Sequence, residues 1–536
     1  MIKLQKAQTE SLLAIHGWSG IMLGLLLYAV ICTGTVAVFA DEIGDWSGPL
    51  SHPAEHSLPP GLNPLIQSLW RETDPAYRDE IDLHASHGGR LFLRFEGHRQ
   101  AGEPLSAADR RRHYGVEYQI DRNNLAILQR SEGRRQQLDA ARSASALADF
   151  FVDLHVRLHL PNPWGIFLTG VLGLAMMIAS VTGLIVHRHL LRELFTIRRG
   201  KSLLAARDTH VVAASWNLPF AFLLAFTGSF FSFASAVGLP AMAMVVFAGD
   251  QERAIEQVFG APPASDDTPA PLADLDQIIS HATQQAGAAP NFLTVRNPGR
   301  ADAFVRVFVP AAGQQLTGRA FDYSGVDASF RRENPVLVGT VPSAGNSVAA
   351  LMEPLHFGNF AGALSKALWF ALGFAAAYVT YSGMRLWTTR RAAISGWRRM
   401  ELAVHWVGRG LPLALVLVAH GYFLAPALDL PVQIAQWIVF WASALTALLL
   451  TTLLPDPRSA SLLRRLLAAA LLALPLLRWL AGGPGWLSAL QAQMHNIIIV
   501  DLLLLAAGAA CWASLRRSHA AQPEADGQER LPEPDR

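Results

Sequence analysis

The chain has 536 residues, of which 51% are hydrophobic and 16% charged, and a formal net charge of +2. That balance excludes an ordinary soluble domain, points to a membrane protein and gives no reason to expect a nucleic-acid partner. The two cysteines, Cys32 and Cys511, each lie in an apolar run, so no disulfide framework, Cys-ligated zinc or iron–sulfur cluster is expected, and redox chemistry must come from a bound cofactor.

Gly17 to Ala40 is an uncharged stretch behind Lys3 and Lys6. Val38-Phe-Ala40 has the spacing of a signal-peptidase site, but the run far exceeds the ~7–15 residues of a signal-peptide core, so a retained anchor is expected. Trp164 to Val186 is 23 residues long, enough at about 1.5 Å per residue to cross the ~30 Å hydrocarbon layer. Further spans are expected at about 211–236, 366–387, 405–426, 432–454, 464–481 and 496–515. Arg465 and Arg478 leave the seventh few uncharged residues, and Asp501 lies near the start of the eighth.

Eight spans put both termini on one side. Lys3, Lys6, Arg188, Arg192, Arg198, Arg199, Lys201, Arg207, Arg390, Arg391, Arg398, Arg399, Arg458, Arg464, Arg465, Arg516 and Arg517 all fall on one face, which the positive-inside tendency makes cytoplasmic. The expected fold is mainly α: a polytopic helix bundle in a bacterial inner membrane, with two periplasmic α+β insertions. Its parts are residues 1–41 with span one, a module at 42–152, spans two and three at 153–237, a second module at 238–355, span four at 356–392, four additional spans at 393–517 and a disordered tail at 518–536.

In the first module Arg90 to Phe95 and Gly115 to Ile120 alternate as strands, and the turn Asp121 to Asn124 leads to a strand at Leu125 to Leu128. In the second, Asp274 to Ala286 reads as a helix, Asn291 to Arg296 and Ala303 to Val309 as strands around the turn Asn297 to Arg300, and Asp322 to Gly325 as a further turn.

This topology sorts the histidines by depth. His16 and His210 share the inner edge, while His155 or His159 shares the outer edge with His356. Two imidazoles per level are what a six-coordinate haem needs, and helix bundles build such sites from inward-facing residues of neighbouring helices. Histidines at a membrane edge also serve as interfacial or capping residues, which is the reading for His187, His189 and His405 among arginines. His420 lies deep in span five, where an ionisable group is a functional candidate or packs against a polar neighbour. His495 beside Asp501 is read as a local pair, and His84 with His87, lacking an acidic or thiol companion, as a solvated loop.

His16-Gly-Trp-Ser-Gly20 with Thr33-Gly34, Asp153-Leu-His155 with Thr182-Gly183, Asp208-Thr-His210 with Thr227-Gly228, and Pro354-Leu-His356-Phe-Gly358 with Ser382-Gly383 resemble the PepSY-associated transmembrane family over about residues 10–392. The polar modules look like its periplasmic PepSY-type insertions. The resemblance implies an inner-membrane protein of bacterial iron acquisition, some members being haem-containing reductases of ferric siderophores. Its motif histidines are His16, His155, His210 and His356, with His155 favoured over His159. The expectation is two bis-histidine b-type haems, an inner one on His16 and His210 and an outer one on His155 and His356. A ferric siderophore would be the periplasmic substrate and membrane lipid the surroundings. The short cytoplasmic loops lack a flavin or nicotinamide glycine fingerprint, so the donor would be another protein or a quinol. Two rival readings are a haem-free module that restrains a periplasmic peptidase or senses an envelope signal, and a permease using His420 and Asp501. Nothing in the resemblance explains spans five to eight.

Overall fold

The structure, a computed structural model, describes residues 5–48, 55–86, 89–98, 113–141, 146–187, 193–198, 202–250, 253–254, 256, 263–311, 315–334 and 344–520. Lys3, His87, Arg188, His189, Arg192, Arg199, Lys201 and the tail beyond residue 520 lie outside them. Among the described residues seven helices are long and apolar enough to cross a membrane: Trp164–Val186, Leu203–Gly238, Gly362–Thr389, Ser395–Leu424, Val432–Leu453, Asp456–Leu480 and His495–Arg516. The chain is a multi-pass helical membrane protein with a sheet insertion.

The stretch expected as the first span is broken. It consists of α1 (Lys6–Met22) and α2 (Gly24–Ala37), bent by 65° at Leu23. The bend lets α1 lean on α7 (Trp164–Val186) while α2 packs against α6 (Ala146–Arg157) and the fourth span, so one span serves two neighbours. The third span, α8 (Ser202–Phe233), runs through a π-helical turn at Ala234–Gly238 into α9 (Leu239–Val246). The fourth is α12 (Gly362–Thr389), preceded by α11 (Ala344–Phe357).

Between spans one and two lie α3 (Ala40–Ser47), α4 (Asn63–Glu72), β1 (Glu80–Ser86), β2 (Arg90–Gly97), β3 (Tyr114–Asp121), β4 (Ile127–Arg134) and α5 (Arg135–Ala141). Between spans three and four lie α10 (Leu275–Ala286), β5 (Phe292–Arg296), β6 (Phe304–Val309), β7 (Arg319–Ser324) and β8 (Phe330–Asn334). The two segments do not form separate sheets. They join through antiparallel β1 and β5 into one eight-stranded sheet ordered β4-β3-β2-β1-β5-β6-β7-β8.

One face of that sheet is apolar. Ile81, Leu83, Leu93, Phe95, Val116, Leu293, Val295, Val305, Val307 and Phe321 are buried beneath Ile66 and Leu69 of α4 and Ile278, Ile279 and Ala282 of α10. The two covering helices are tied to each other: the Asp276 carboxylate accepts from the Leu62 and Asn63 amides at 3.0 and 3.1 Å, and Asn63 Oδ1 accepts from the Leu275 amide at 3.2 Å.

The other face carries a polar row at one register across every strand: Ser131, Glu117, Arg94, Asp82, Thr294, Arg306, Asp322 and Arg332. Signs alternate, so neighbours attract across the strands. Arg94 meets Glu117 at 2.5 Å and Arg306 meets Asp322 at 2.7 Å. This row corrects one expectation: Asp322-Tyr-Ser324 belongs to strand β7, not to a turn. Asp322 resembles a turn residue only until Arg306 and Arg332 neutralise it.

Burial works against ionisation of Asp322, but the Arg306 guanidinium, Asn334 and Arg332 outweigh it and hold the carboxyl below the usual range. A folded-state value below the unfolded one contributes stability that is present above about pH 4 and lost as pH falls through the folded value. Asp322→Asn is expected to cost about 3 kcal/mol at neutral pH, leaving two guanidiniums without their carboxylate. The gap between variant and wild type should close on acidification below about pH 4 in denaturant titrations; a gap independent of pH would contradict this.

The additional spans are α13 (Ser395–Leu424), α14 (Val432–Leu453), α15 (Asp456–Leu480) and, after the short α16 (Trp486–Gln491), α17 (His495–Ala520). Helix α13 packs on α2, α6 and α12, and α17 packs on α3. The seventh span is a full helix despite Arg478, because that guanidinium is 1% exposed and bonded to Asp501 at 2.9 Å. Asp501 also accepts from the indoles of Trp46 at 2.7 Å and Trp486 at 2.8 Å. The expected His495–Asp501 pair is therefore replaced: His495 is exposed, and Asp501 serves an arginine on the adjacent helix.

Candidate functional site

The four motif histidines form two pairs at opposite ends of the first four spans. At the sheet-bearing end, His155 near the end of α6 and His356 near the end of α11 have ring centroids 6.1 Å apart and planes 27° apart. Two imidazoles holding one metal at about 2 Å from each nitrogen have centres roughly 6 Å apart. At the other end, His16 of α1 and His210 of α8 line one cavity of about 1120 Å³. His210 and Thr227, which contacts His356, are 17 residues apart on α8, roughly 25 Å of helix, so the pairs sit near opposite membrane surfaces.

Each imidazole is held through Nδ1 by the neighbouring span. His16 Nδ1 lies 2.9 Å from the Ala179 carbonyl, and His155 Nδ1 lies 2.9 Å from the Val30 carbonyl. His210 Nδ1 lies 3.0 Å from Ser382 Oγ, and His356 Nδ1 lies 2.8 Å from Thr227 Oγ1. A carbonyl only accepts, so the first two rings donate. The Ser382 hydroxyl gives its proton to Val379 O and the Thr227 hydroxyl to Leu223 O, so both accept from their histidines. With these roles each ring carries its proton on Nδ1 and a lone pair on Nε2, the tautomer for metal ligation through Nε2.

The glycines complete the cradle. A Cβ at Gly34 would lie 2.6 Å from His155 Cε1, at Gly183 3.2 Å from His16 Cε1, at Gly228 3.2 Å from His356 Cε1 and at Gly383 3.0 Å from His210 Cε1. Each Thr-Gly or Ser-Gly step thus seats a histidine from another span. Thr33-Gly34 seats His155, Thr182-Gly183 seats His16, Thr227-Gly228 seats His356 and Ser382-Gly383 seats His210. Spacing exposed the motifs but not this exchange, because each glycine lies in the same span as a different motif histidine.

His159 is set apart from the pair. Its ring packs on Phe150 and Trp437, with centroids 4.6 Å away in each case. The motif aspartates are structural: Asp153 pairs with Arg157, and Asp208 takes Arg198 at 2.6 and 2.8 Å. His405 and Arg409 share Asp456, His187 lies 3.4 Å from Glu193, and His420 Nδ1 lies 3.2 Å from Val416 O of its own helix. With Asp501 committed to Arg478, the two polar groups that a permeation path would use are both engaged. His84 stacks on Phe92 at 5.2 Å. Among the described residues Glu80, Glu96 and His113 bring ligand atoms within 4.8 Å of one another. Arg94 and Arg135, each 3.0 Å from Glu96, already supply cations there.

The donor set suits haem. Four imidazoles in two pairs offer axial nitrogens and small residues leave room beside them; the inner cavity is lined by Arg207, Arg390 and Arg391 and also by Glu10 and Glu193, with Arg207 already on Asp208 at 3.0 Å.

Comparison with known proteins agrees in extent with this four-span unit. The family model described as the PepSY-associated TM region matches residues 13–390. The chain belongs to the PepSY-associated transmembrane family. A relative, the "Uncharacterized protein PA4219" of Pseudomonas aeruginosa, is 28% identical over 321 residues, covering 56% of this chain and 80% of its own. The family match ends just past α12, so α13 to α17 are an extension to the PepSY-associated unit.

Removing one Nδ1 partner should weaken a single site. Thr227→Val keeps the shape and deletes the acceptor, so haem at the His155–His356 pair is expected to bind 10–100-fold more weakly, the usual size of such outer-shell effects. Titration of haem-depleted protein with hemin checks this, and unchanged affinity at that site would contradict it.

Proposed function

We propose that this protein is a two-haem oxidoreductase of the bacterial inner membrane that passes electrons outward to reduce a ferric chelate such as a siderophore complex. The observation that supports it best is the anchoring of all four histidines through Nδ1, which leaves each Nε2 to a metal, in two pairs at opposite ends of the first four spans. His16 and His210 would hold the inner haem, and His155 and His356 the outer one. When bound, haem would supply the reversible one-electron chemistry.

The protein's own contribution is positional. The Thr, Ser and carbonyl acceptors fix each ring, and the surrounding apolar helices exclude water and lower the local dielectric. The arginines at the end opposite the sheet favour a cytoplasmic assignment for it, which puts the sheet and the substrate in the periplasm. One-electron reduction releases the metal because hard oxygen donors that grip Fe(III) hold Fe(II) far less well. The donor is assigned by class, a membrane quinol or another protein.

Vesicles containing the protein, with a reductant sealed inside and a ferric hydroxamate chelate plus a ferrous-trapping dye outside, test the reading. Trapped ferrous iron should appear faster than in protein-free vesicles. Equal rates with the protein correctly inserted would overturn it.

A further inference from the structure

We propose that the extension, helices α13 to α17, is a brace that sets the position of His155, with Gln436 and Trp46 as its positioning residues. The inference rests on the haem reading for its purpose, but its geometry stands apart from it.

Helix α6 has two faces. On one, His155 donates to Val30 of α2 and faces His356. On the other, Leu147, Phe150, Phe151 and Leu154 are buried in a single core with Val418 and Phe423 of α13, Phe440 of α14, Leu474 of α15 and Ile497 of α17. Leu154 is therefore anchored in the extension while its neighbour in sequence is the ligand. A fluid apolar contact would fix depth loosely, but two polar ties fix it in register.

The first tie is Gln436 of α14. It is 1% exposed, and its amide donates to the carbonyl of Ala146, the first residue of α6, at 3.2 Å. A buried amide in a membrane helix satisfied across to another helix selects one relative position of the two. The second runs through α3, which packs against α6. Trp46 of α3 donates to Asp501 of α17, its ring meets Phe423 edge-on at 5.2 Å, and Tyr422 donates to the Ser47 carbonyl at 3.1 Å. His356, by contrast, is on α11, which packs on α8. Helix α13 also packs on α12, but these two polar ties both bear on α6 and so on one ligand of one pair.

Gln436→Ala cuts the first tie, Trp46→Phe removes the indole bond of the second, and Trp406→Phe is the control. Trp406 donates to Ala444 at 2.8 Å, joining α13 to α14 in a separate core away from α6. Two readouts are taken on the full chain: hemin affinity of each site with its visible and EPR spectrum, and hydrogen exchange over residues 146–157 against 344–357. The proposal expects outer-site affinity to fall about 10-fold, its spectrum to change with the inner spectrum unaltered, and exchange to quicken over 146–157 but not over 344–357. The control should leave both sites as in the wild type. Wild-type behaviour of both tie variants, or parallel weakening of both sites as in general destabilisation, would overturn it. A wild-type protein that binds no haem would remove the haem reading alone, and the exchange comparison would still decide the brace.

Discussion

Alanine at His155 or at His356 is expected to remove the same haem and leave the other, and alanine at His16 or at His210 to do the converse. Each substitution takes away an axial nitrogen, so haem content should fall from two to one per chain whichever member of a pair is replaced. The pairing of His155 with His356 follows from their 6.1 Å centroid separation, and that of His16 with His210 from their common cavity. A subtler variant separates ligation from bulk loss. Gly34→Ala keeps every histidine but puts a methyl group 2.6 Å from His155 Cε1, closer than real contacts allow, so the ring must leave its seat. It should therefore reproduce the His155→Ala spectrum even though Gly34 lies in a different span. Retention of both haems in Gly34→Ala and in the four alanine variants would place the ligands elsewhere.

Asp501→Leu is expected to be the most destabilising single change outside the histidine sites, by about 3–5 kcal/mol, because it leaves a buried arginine without its counter-charge. Arg478 and Asp501 are each about 1% exposed at the side chain, and the same carboxylate accepts from two indoles. Loss of the acceptor strands three donors at once. The double variant Arg478→Met with Asp501→Leu removes the charge pair together and should recover most of the loss, since replacing a whole buried pair by apolar groups is often near neutral. Denaturation in detergent checks both. Equal stability of Asp501→Leu and wild type would contradict the buried pair, and a double variant no better than the single would assign the effect to Trp46 and Trp486 instead.

Much of the frame was legible in the sequence because hydrocarbon thickness imposes span length, and the histidines could be sorted by depth once the spans were placed. Three features were not legible in it. The bend at Leu23 depends on where α7 and α12 sit, which no local pattern encodes. The joining of β1 to β5 pairs segments more than 200 residues apart, and alternation reveals strands but not partners. Asp322 and Arg478 were misleading in isolation: one looked like a turn residue and the other like a defect in a span, until Arg306 and Asp501 supplied the opposite charges. The Thr-Gly and Ser-Gly steps are an intermediate case, since their residues were visible while the histidine each one seats was not.

The most direct test is a haem count on protein purified from cells with ample haem supply, by reduced-minus-oxidised spectra and pyridine haemochrome against protein concentration. Two b-type haems per chain with low-spin, six-coordinate spectra are expected. A colourless protein, or one whose haem is high-spin with an open axial position at both sites, would contradict it.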